Sequence, residues 1–422
     1  MKVWLLKTGE ELPIDHKCPR LYRMGLLADY MVKKGHDVTW WTANFDHFHR
    51  YHRNTEDKVI EISKNYRINL LSSCGYSNNV SFKRLVDHHQ LASKFKKQSV
   101  NHEPPDIILC SMPTIEWSDV AVQYANKHNV PVVLDLRDLW PDIFIRAFPK
   151  FFRPFSKVFM WPYYTKLKRS IRNATAITGI TQQVLDWGLA LADRKPTIRD
   201  KPFYLAYQEK QYEESDEVIA FWKNHGVGPG FNKKIISFVG SISRQFDFET
   251  VIETAKRLEK ETDYYFVMCG SGDRLESMKQ KAADCRNVVF PGRINGTQIH
   301  HLLKQTYLGL APYMPTDDFL MSLPNKIGEY MSAGLPVISG VDGVIGNLLN
   351  ENHCGMVYEF QNSQNLYKTL IDLYHKPQQV AEMSQHAIST FQSELNAQNV
   401  YPNMIQWLEL IANEHQVSLH DN

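Results

Sequence analysis

The sequence predicts an α/β protein of two doubly wound, parallel-sheet domains in tandem. Three observations carry that expectation. Short apolar runs alternate with helix-period stretches through the first half, the alternation stops over residues 195–232, and it then starts again. The chain has 422 residues, 43% hydrophobic and 22% charged, an ordinary globular balance that excludes a disordered or fibrous protein.

The first strand is expected at 3–6, where Val3-Trp4-Leu5-Leu6 is stopped by Lys7. Residues 19–34 set Leu21, Met24, Leu27, Ala28 and Met31 on one helical face, and Gly35 ends that helix. Strands follow at 37–42, 107–110, 131–134 and 174–178, with helices at about 115–128 and 181–191. The break carries Lys195-Pro196, Lys201-Pro202, an acidic cluster at Glu213, Glu214, Asp216 and Glu217, and Gly226-Val227-Gly228-Pro229-Gly230, the composition of a connection. In the second half, a strand at 235–239 ends in Gly240 and a helix covers 247–260. The next strand, 264–268, ends in Gly270-Ser271-Gly272. Strands at 288–290, 308–311, 336–338 and 356–359 complete the pattern, with a helix at 324–333 and helices onward to about 415. The expected division is a first domain over 1–200, a connection over 201–232, a second domain over 233–397 and a closing helix, 398–422, that returns to the first domain. Such sheets bind ligands beyond the carboxyl ends of their strands, so a site in a cleft between the domains is expected.

Composition narrows the function classes. Lys and Arg total 48 against 46 Asp and Glu, a formal net charge of +2, which argues against a dedicated nucleic-acid binder. The six cysteines, Cys18, Cys74, Cys110, Cys269, Cys285 and Cys354, form no CxxC pair and no zinc spacing; they read as reduced thiols of a cytoplasmic protein. The apolar run that Lys7 cuts is too short for a signal peptide. No apolar stretch approaches the roughly 20 residues that span a bilayer. One segment departs from the average. Residues 146–172 hold eight basic residues (Arg146, Lys150, Arg153, Lys157, Lys166, Lys168, Arg169 and Arg172), eight aromatics and no acid. Setting it aside leaves 40 of the 48 basic residues against all 46 acidic ones. Basic charge beside aromatics suits an anionic membrane surface, so a peripheral position at the inner face of the plasma membrane is expected through 146–172.

The richest segment for chemistry runs Ser322-Leu323-Pro324-Asn325-Lys326-Ile327-Gly328-Glu329-Tyr330-Met331-Ser332-Ala333-Gly334. A polar loop enters a helix at Pro324, whose missing N–H costs nothing there, and Gly334 closes it. Free N–H groups at the helix start favour an anion. Lys326 in the same first turn opposes the helix dipole by about 0.3–1 kcal/mol unless an anion is bound, which hints at phosphate. Glu329, one turn beyond Asn325, lies within reach of a sugar diol. Asp247-Phe248-Glu249 has the spacing of a metal-binding DxE, but it opens a helix, where acidic residues are favoured anyway. No metal site is expected.

The PNKIGEYMSAGLPVI segment resembles the donor-site helix of glycosyltransferase family 4, the retaining GT-B enzymes. Other matches follow in colinear order: Phe238-Val239-Gly240-Ser241 resembles the first glycine turn of the C-terminal domain, Cys269-Gly270-Ser271-Gly272 the next loop and Phe290-Pro291-Gly292-Arg293-Ile294 the base-contacting turn. Leu134-Asp135-Leu136-Arg137-Asp138-Leu139-Trp140-Pro141-Asp142 and Lys34-Gly35-His36-Asp37-Val38 fit the same family in the first half. The resemblance implies a GT-B fold of two Rossmann-like domains facing a cleft. It implies a nucleoside-diphosphate sugar as donor, a glycan or polyprenyl-linked acceptor, and transfer with retention and without a cofactor. The most similar branch builds O-antigen, capsule and related cell-surface polysaccharides.

Carried over by position, Glu329 matches the second glutamate of the family's E-x7-E pair, the one that holds the donor ribose, while the first falls at Met321. Ser241 stands where an Arg is common, so Arg244 or Lys326 supplies the missing charge. Arg137 takes a position often held by His. The implied donor contacts are Gly240, Ser241, Gly270, Gly272, Arg293, Ile294, Ser322, Leu323, Pro324, Asn325, Lys326 and Glu329. Lys326, Arg244, Arg137 and Asp138 are the implied catalytic set, and the polar first loop, with Gly9 and His16, is the implied acceptor side. Cations aimed at the departing phosphate would stabilise the transition state, each worth about 10²–10³ in rate. Two other readings share this architecture: a nucleotide-sugar epimerase, and a catalytically silent binding subunit suggested by Met321 and Ser241.

Overall fold

In a computed structural model of the chain, residues 1–15, 19–78, 81–147, 151, 153–210 and 212–420 are described. The fold divides into two compact units, Met1–Tyr204 with Val400–Asn422, and Leu205–Asn399.

Among the described residues the first unit holds a seven-stranded sheet in the order β3-β4-β2-β1-β5-β6-β7. Its strands are β1 Lys2–Leu6, β2 Asp37–Ala43, β3 Lys58–Ser63, β4 Tyr66–Leu71, β5 Ile107–Ser111, β6 Val132–Leu136 and β7 Ala176–Gly179. All neighbours run parallel except β3 and β4. Helices on both faces bury the parallel strands, which is why those strands read as continuous apolar runs. The sheet packs on an aromatic core in which Trp41 meets Trp4 and Phe95 edge-on at 5.3 and 5.2 Å. Val400–Asn422 joins this unit through buried Tyr401, Met404, Ile405 and Leu408, and Glu409 pairs with Lys34 and His36 at 2.6 and 3.0 Å.

The second unit holds, among the described residues, a six-stranded parallel sheet in the order β10-β9-β8-β11-β12-β13. Its strands are β8 Lys234–Val239, β9 Tyr264–Cys269, β10 Val288–Gly292, β11 Thr306–Ala311, β12 Val337–Ser339 and β13 Gly355–Val357. Asp247 caps the helix Phe248–Leu258 by accepting from Thr250 N–H at 3.2 Å, while Glu249 pairs with Arg274 and with Lys281. The DxE-like spacing is thus spent on a helix cap and a surface ion pair.

Two features differ from the expected layout. Residues 205–232 are not a free connection but part of the second unit: the helix Asp216–Asn224 buries Trp222 against Val218, Val227, Ile235 and Leu302. The β3–β4 hairpin, turned at Lys64-Asn65, is an addition to the first sheet. Its outer strand is antiparallel and mostly exposed, so it carries no buried apolar run to betray it.

Candidate functional site

In the second unit, three glycine-bearing segments meet at the carboxyl ends of β8, β9 and β10. Gly240 N–H donates to Cys269 O at 3.0 Å, Gly270 N–H to Gly292 O at 2.8 Å, and Ile242 N–H to Ser271 O at 3.0 Å. The approach is close enough to require glycine. A β-carbon on Gly270 would lie 1.6 Å from the Gly240 carbonyl oxygen, and one on Gly272 would lie 2.2 Å from that of Ile242. These turns therefore present bare backbone at the edge where doubly wound sheets take ligands.

The helix Asn325–Ser332 starts beside them. Pro324 occupies its N-cap position with φ −64°, and Gly334, at φ +69°, ends it through a Leu335 N–H to Tyr330 O bond of 3.0 Å. Lys326 reaches from its first turn to Gly240: a β-carbon there would sit 2.8 Å from Nζ. The residue as a whole is only half-buried, yet its Nζ is sealed from solvent and has no hydrogen-bond partner. It rests over the Phe238 ring at 3.6 Å, with Phe246 and Tyr313 at 4.5 and 5.3 Å. Burial drives its pKa well below the usual lysine value, against a weaker opposing pull from Glu329. Glu329 is itself buried on the same helix. A buried amine without a hydrogen-bond partner, three aromatic faces around it and bare glycine backbone beside it suit a phosphate oxygen.

The remaining predicted donor residues scatter in role. Arg244 is 87% exposed and faces Asp273 at 3.5 Å. Ser241 and Arg293 are exposed, Ile294 packs against the Trp222 cluster, Leu323 is buried, and Ser322 Oγ donates to Asp318 O at 2.6 Å. Tyr330 was missed. Its hydroxyl accepts from Val239 N–H at 3.0 Å and donates toward the carbonyls of Ser237 and Leu310, both at 3.3 Å, pinning the end of β8 just before Gly240. Gly309 leaves room for its ring, since a β-carbon there would lie 2.6 Å from Tyr330 Cδ2.

In the first unit, Arg137 at the end of β6 pairs with Glu10 of the first loop and lies 3.4 Å from Ser111 Oγ. Glu10 also accepts from Met24 N–H at 3.0 Å, which ties the first loop to the helix Arg23–Lys33. Burial opposes the charge on Arg137, but Glu10 and Asp135 outweigh it and raise its pKa. Asp138 is exposed, Gly9 has φ +76°, and His16 lies outside the described residues. Lys7, used in the sequence only as the end of an apolar run, is buried beside Arg137, and its pKa is lowered to about 8 by burial first and Arg137 second. Beneath it, Arg23 and Asp135 form a fully buried pair at 3.1 Å. Among the described residues no group of three or more His, Cys, Asp or Glu could hold a metal ion, and no disulfide forms; Cys110, Cys269, Cys285 and Cys354 are buried free thiols.

Comparison with known proteins divides the chain the same way. Residues 24–196 match the Glycosyltransferase Family 4 model, and residues 226–390 match the Glycosyl transferases group 1 model. An uncharacterized glycosyltransferase of Methanocaldococcus jannaschii is 29% identical over 147 residues, which span 34% of this chain and 36% of that protein, so the match takes in about a third of the relative's length. Among solved structures, sucrose-phosphate synthase from Thermosynechococcus elongatus superposes with a TM-score of 0.73 at 15% identity, covering 97% of this chain and 98% of that one. Anabaena HepE, in complex with UDP and glucose, gives 0.64 at 14% identity, covering 97% and 99%. At those identities the likeness establishes the fold, which is GT-B.

Proposed function

With a family 4 domain followed by a group 1 domain, the chain is a glycosyltransferase family 4-like protein, and on that premise we propose that it transfers a sugar from a nucleoside-diphosphate donor to a glycan or lipid-linked acceptor, with retention, in cell-surface polysaccharide synthesis. The observation that carries this is Lys326. Its sealed, unpartnered Nζ beside Gly240 is a poor arrangement for an empty protein and a good one for a bound diphosphate. Glu329 on the same helix holds the ribose, and the Gly240 and Gly270 turns admit the phosphates against main chain. As the glycosidic bond breaks, negative charge grows on the β-phosphate, where a protonated Lys326 stabilises it.

The test is a thermal-shift panel of nucleoside diphosphates and their sugars, starting with UDP because the HepE structure holds UDP and glucose. We expect a shift with one base family and its loss in Lys326→Ala. An unchanged shift in that variant removes the phosphate role. Sugar released without any acceptor would instead favour the epimerase reading.

The acceptor side includes a membrane surface in this proposal. Phe155, Val158 and Phe159 fall on one stripe of the helix Arg153–Asn173 and, with Trp161 and the preceding Phe151, are between 58% and 75% exposed, while Met160, Leu167 and Ile171 are buried on its opposite face. Residues 148–150 and 152 of the basic segment lie outside the described residues. No helix among the described residues is long and apolar enough to cross a membrane. An exposed aromatic stripe in an acid-free segment of eight basic residues fits the headgroup layer of an anionic bilayer. Co-sedimentation with phosphatidylglycerol vesicles should fall about tenfold in Phe155→Ser/Phe159→Ser/Trp161→Ser, at an unchanged melting temperature, because those side chains leave no core cavity.

A further inference from the structure

The first sheet reverses its order at β1 and β5. From that pair the chain winds outward both ways, to β2, β4 and β3 on one side and to β6 and β7 on the other. Doubly wound sheets take ligands in the crevice beyond the carboxyl ends at such a switch point. Lys7 follows β1 directly. Leu6 pairs with Cys110, which sets Lys7 level with Ser111, the last residue of β5. Its main chain is fixed there: Lys7 N–H donates to Trp41 O at 3.2 Å, and Trp40 Nε1 donates to Lys7 O at 3.1 Å. The residue is 8% exposed. Yet no hydrogen bond or ion pair with a described residue holds its amine, and Nζ is not sealed from solvent as that of Lys326 is. An amine on a buried stem, bonded to nothing, leaves hydrogen-bonding capacity unmet at the crevice. His88 of the helix Phe82–Gln98 adds a second such group. It is 2% exposed, its Nδ1 is unpartnered, and it lies within electrostatic reach of Lys7.

The charge around Lys7 is balanced. Arg137, from the end of β6, is held by Glu10 and stands 3.4 Å from Ser111 Oγ. Arg23 is paired with Asp135 at 3.1 Å, and Asp138 faces both Lys7 and Arg137. Lys7, Arg137 and Arg23 therefore meet Glu10, Asp135 and Asp138. Arg84 faces Asp138 and Asp87, with Arg50 against it, and Asp46 is taken by Arg53. Burial first, then these cations, lowers His47 to about 4 and His88 well below the usual value, so both rings are neutral near pH 7. An anion entering here would stand against Glu10 and Asp138 as well as beside Lys7, whereas a neutral hydroxyl meets no such opposition. Burial, with Arg137 next, lowers the pKa of Lys7 to about 8 against the pull of Glu10, Asp138 and Asp135. Near that pH the amine offers a lone pair as well as N–H donors, and an alcohol, which donates and accepts at one atom, complements it.

We propose that the switch point of the first sheet is a hydroxyl site, in which the Lys7 amine accepts a hydrogen bond from a sugar hydroxyl of the acceptor, with Ser111 and His88 beside it. The donor's own sugar presents the same chemistry, so the test carries both. Assigning the hydroxyl to the acceptor rests on the transferase reading; the presence of the site does not.

The full chain is labelled with trace isotope-coded acetic anhydride over about pH 6–10, a range that brackets a lowered lysine and approaches an ordinary one. Lys7 is read by peptide mass spectrometry, with the exposed lysines as internal standards. We expect Lys7 to reach half its limiting reactivity near pH 8, below the exposed lysines. Methyl glycosides of neutral hexoses and N-acetylhexosamines, at millimolar concentrations, should slow labelling of Lys7 about fivefold and leave the other lysines unchanged, as one-site occupancy at several times Kd requires. That protection should strengthen as pH rises and the amine loses its proton. Inorganic phosphate protecting better than every glycoside, or protection that fades with rising pH, makes this an anion site and overturns the proposal. Protection by nothing overturns it too. UDP-glucose protecting where no glycoside does gives the hydroxyl to the donor and overturns the acceptor assignment. Lys7→Met keeps the stem, so it should weaken glycoside affinity about tenfold in saturation-transfer NMR at an unlowered melting temperature. Affinity unchanged in that variant overturns the site, and should the variant fail to fold, protection in the parent chain still decides. A donor-induced thermal shift without glycoside protection overturns this site alone, whereas protection without any donor shift upholds it and removes the transferase reading.

Discussion

Lys326 is a residue whose folded environment works against it. Its pKa is depressed by burial from an unfolded value of about 10.4, so the folded chain binds fewer protons than the unfolded one between those two values. Stability contributed by this position is therefore full at alkaline pH and is lost as pH falls toward the depressed value. Lys326→Met keeps the stem and removes the amine. It should raise the melting temperature of the second unit near pH 7 by about 3 °C, from roughly 1 kcal/mol, while abolishing the donor-induced shift. A bound diphosphate reverses the sign by favouring the charged amine. Donor binding should then take up a proton, and affinity should fall as pH rises between the free and bound pKa values. Calorimetry in buffers of different ionisation enthalpy measures that uptake directly. Pairing a stability gain with a binding loss separates a ligand-binding lysine from a packing one.

At the scale of elements, the site depends on three turns that only glycine allows. Gly270→Ala sets a methyl group against the Gly240 carbonyl, so we expect loss of more than about 4 kcal/mol and of all donor binding, read by denaturant unfolding of the soluble fraction. Tyr330→Phe is milder: it strips the acceptor from Val239 N–H and should cost about 1–3 kcal/mol and loosen the turn that follows. These turns were legible because each lies in one stretch of sequence, directly after an apolar run. The helix Asn325–Ser332 was legible for the same reason, with Pro324 and Gly334 marking its ends. The contacts of Tyr76 were not: Arg50 and Arg84 come from separate segments, and only folding brings both guanidiniums to its ring. Strand β3 escaped because an exposed antiparallel edge leaves a weak apolar signal, and Trp222 escaped because the acidic residues before it dominate the local composition.

At the scale of the whole molecule, the chain leaves the first unit at Tyr204 and rejoins it at Val400. The two passages run side by side in the second unit, where Tyr207 N–H donates to Leu395 O at 2.9 Å and Ala397 N–H to Tyr207 O at 3.1 Å. Removing residues 400–422 would take away Met404, Ile405, Leu408 and Ile411, all buried in the first unit, and expose the apolar surface they cover. Scanning calorimetry of that truncation should show the first unit's transition lowered or lost and the second unit's unchanged. The same arrangement sets an order of assembly on the ribosome. The second unit is continuous, so it can fold as soon as it has emerged. The first unit emerges earlier but waits for its last helix while the 218 residues after Tyr204 are made, roughly 10–40 s at ordinary elongation rates. Through that interval its apolar groove lies open to chaperones, and the half of the protein synthesised first is the half completed last.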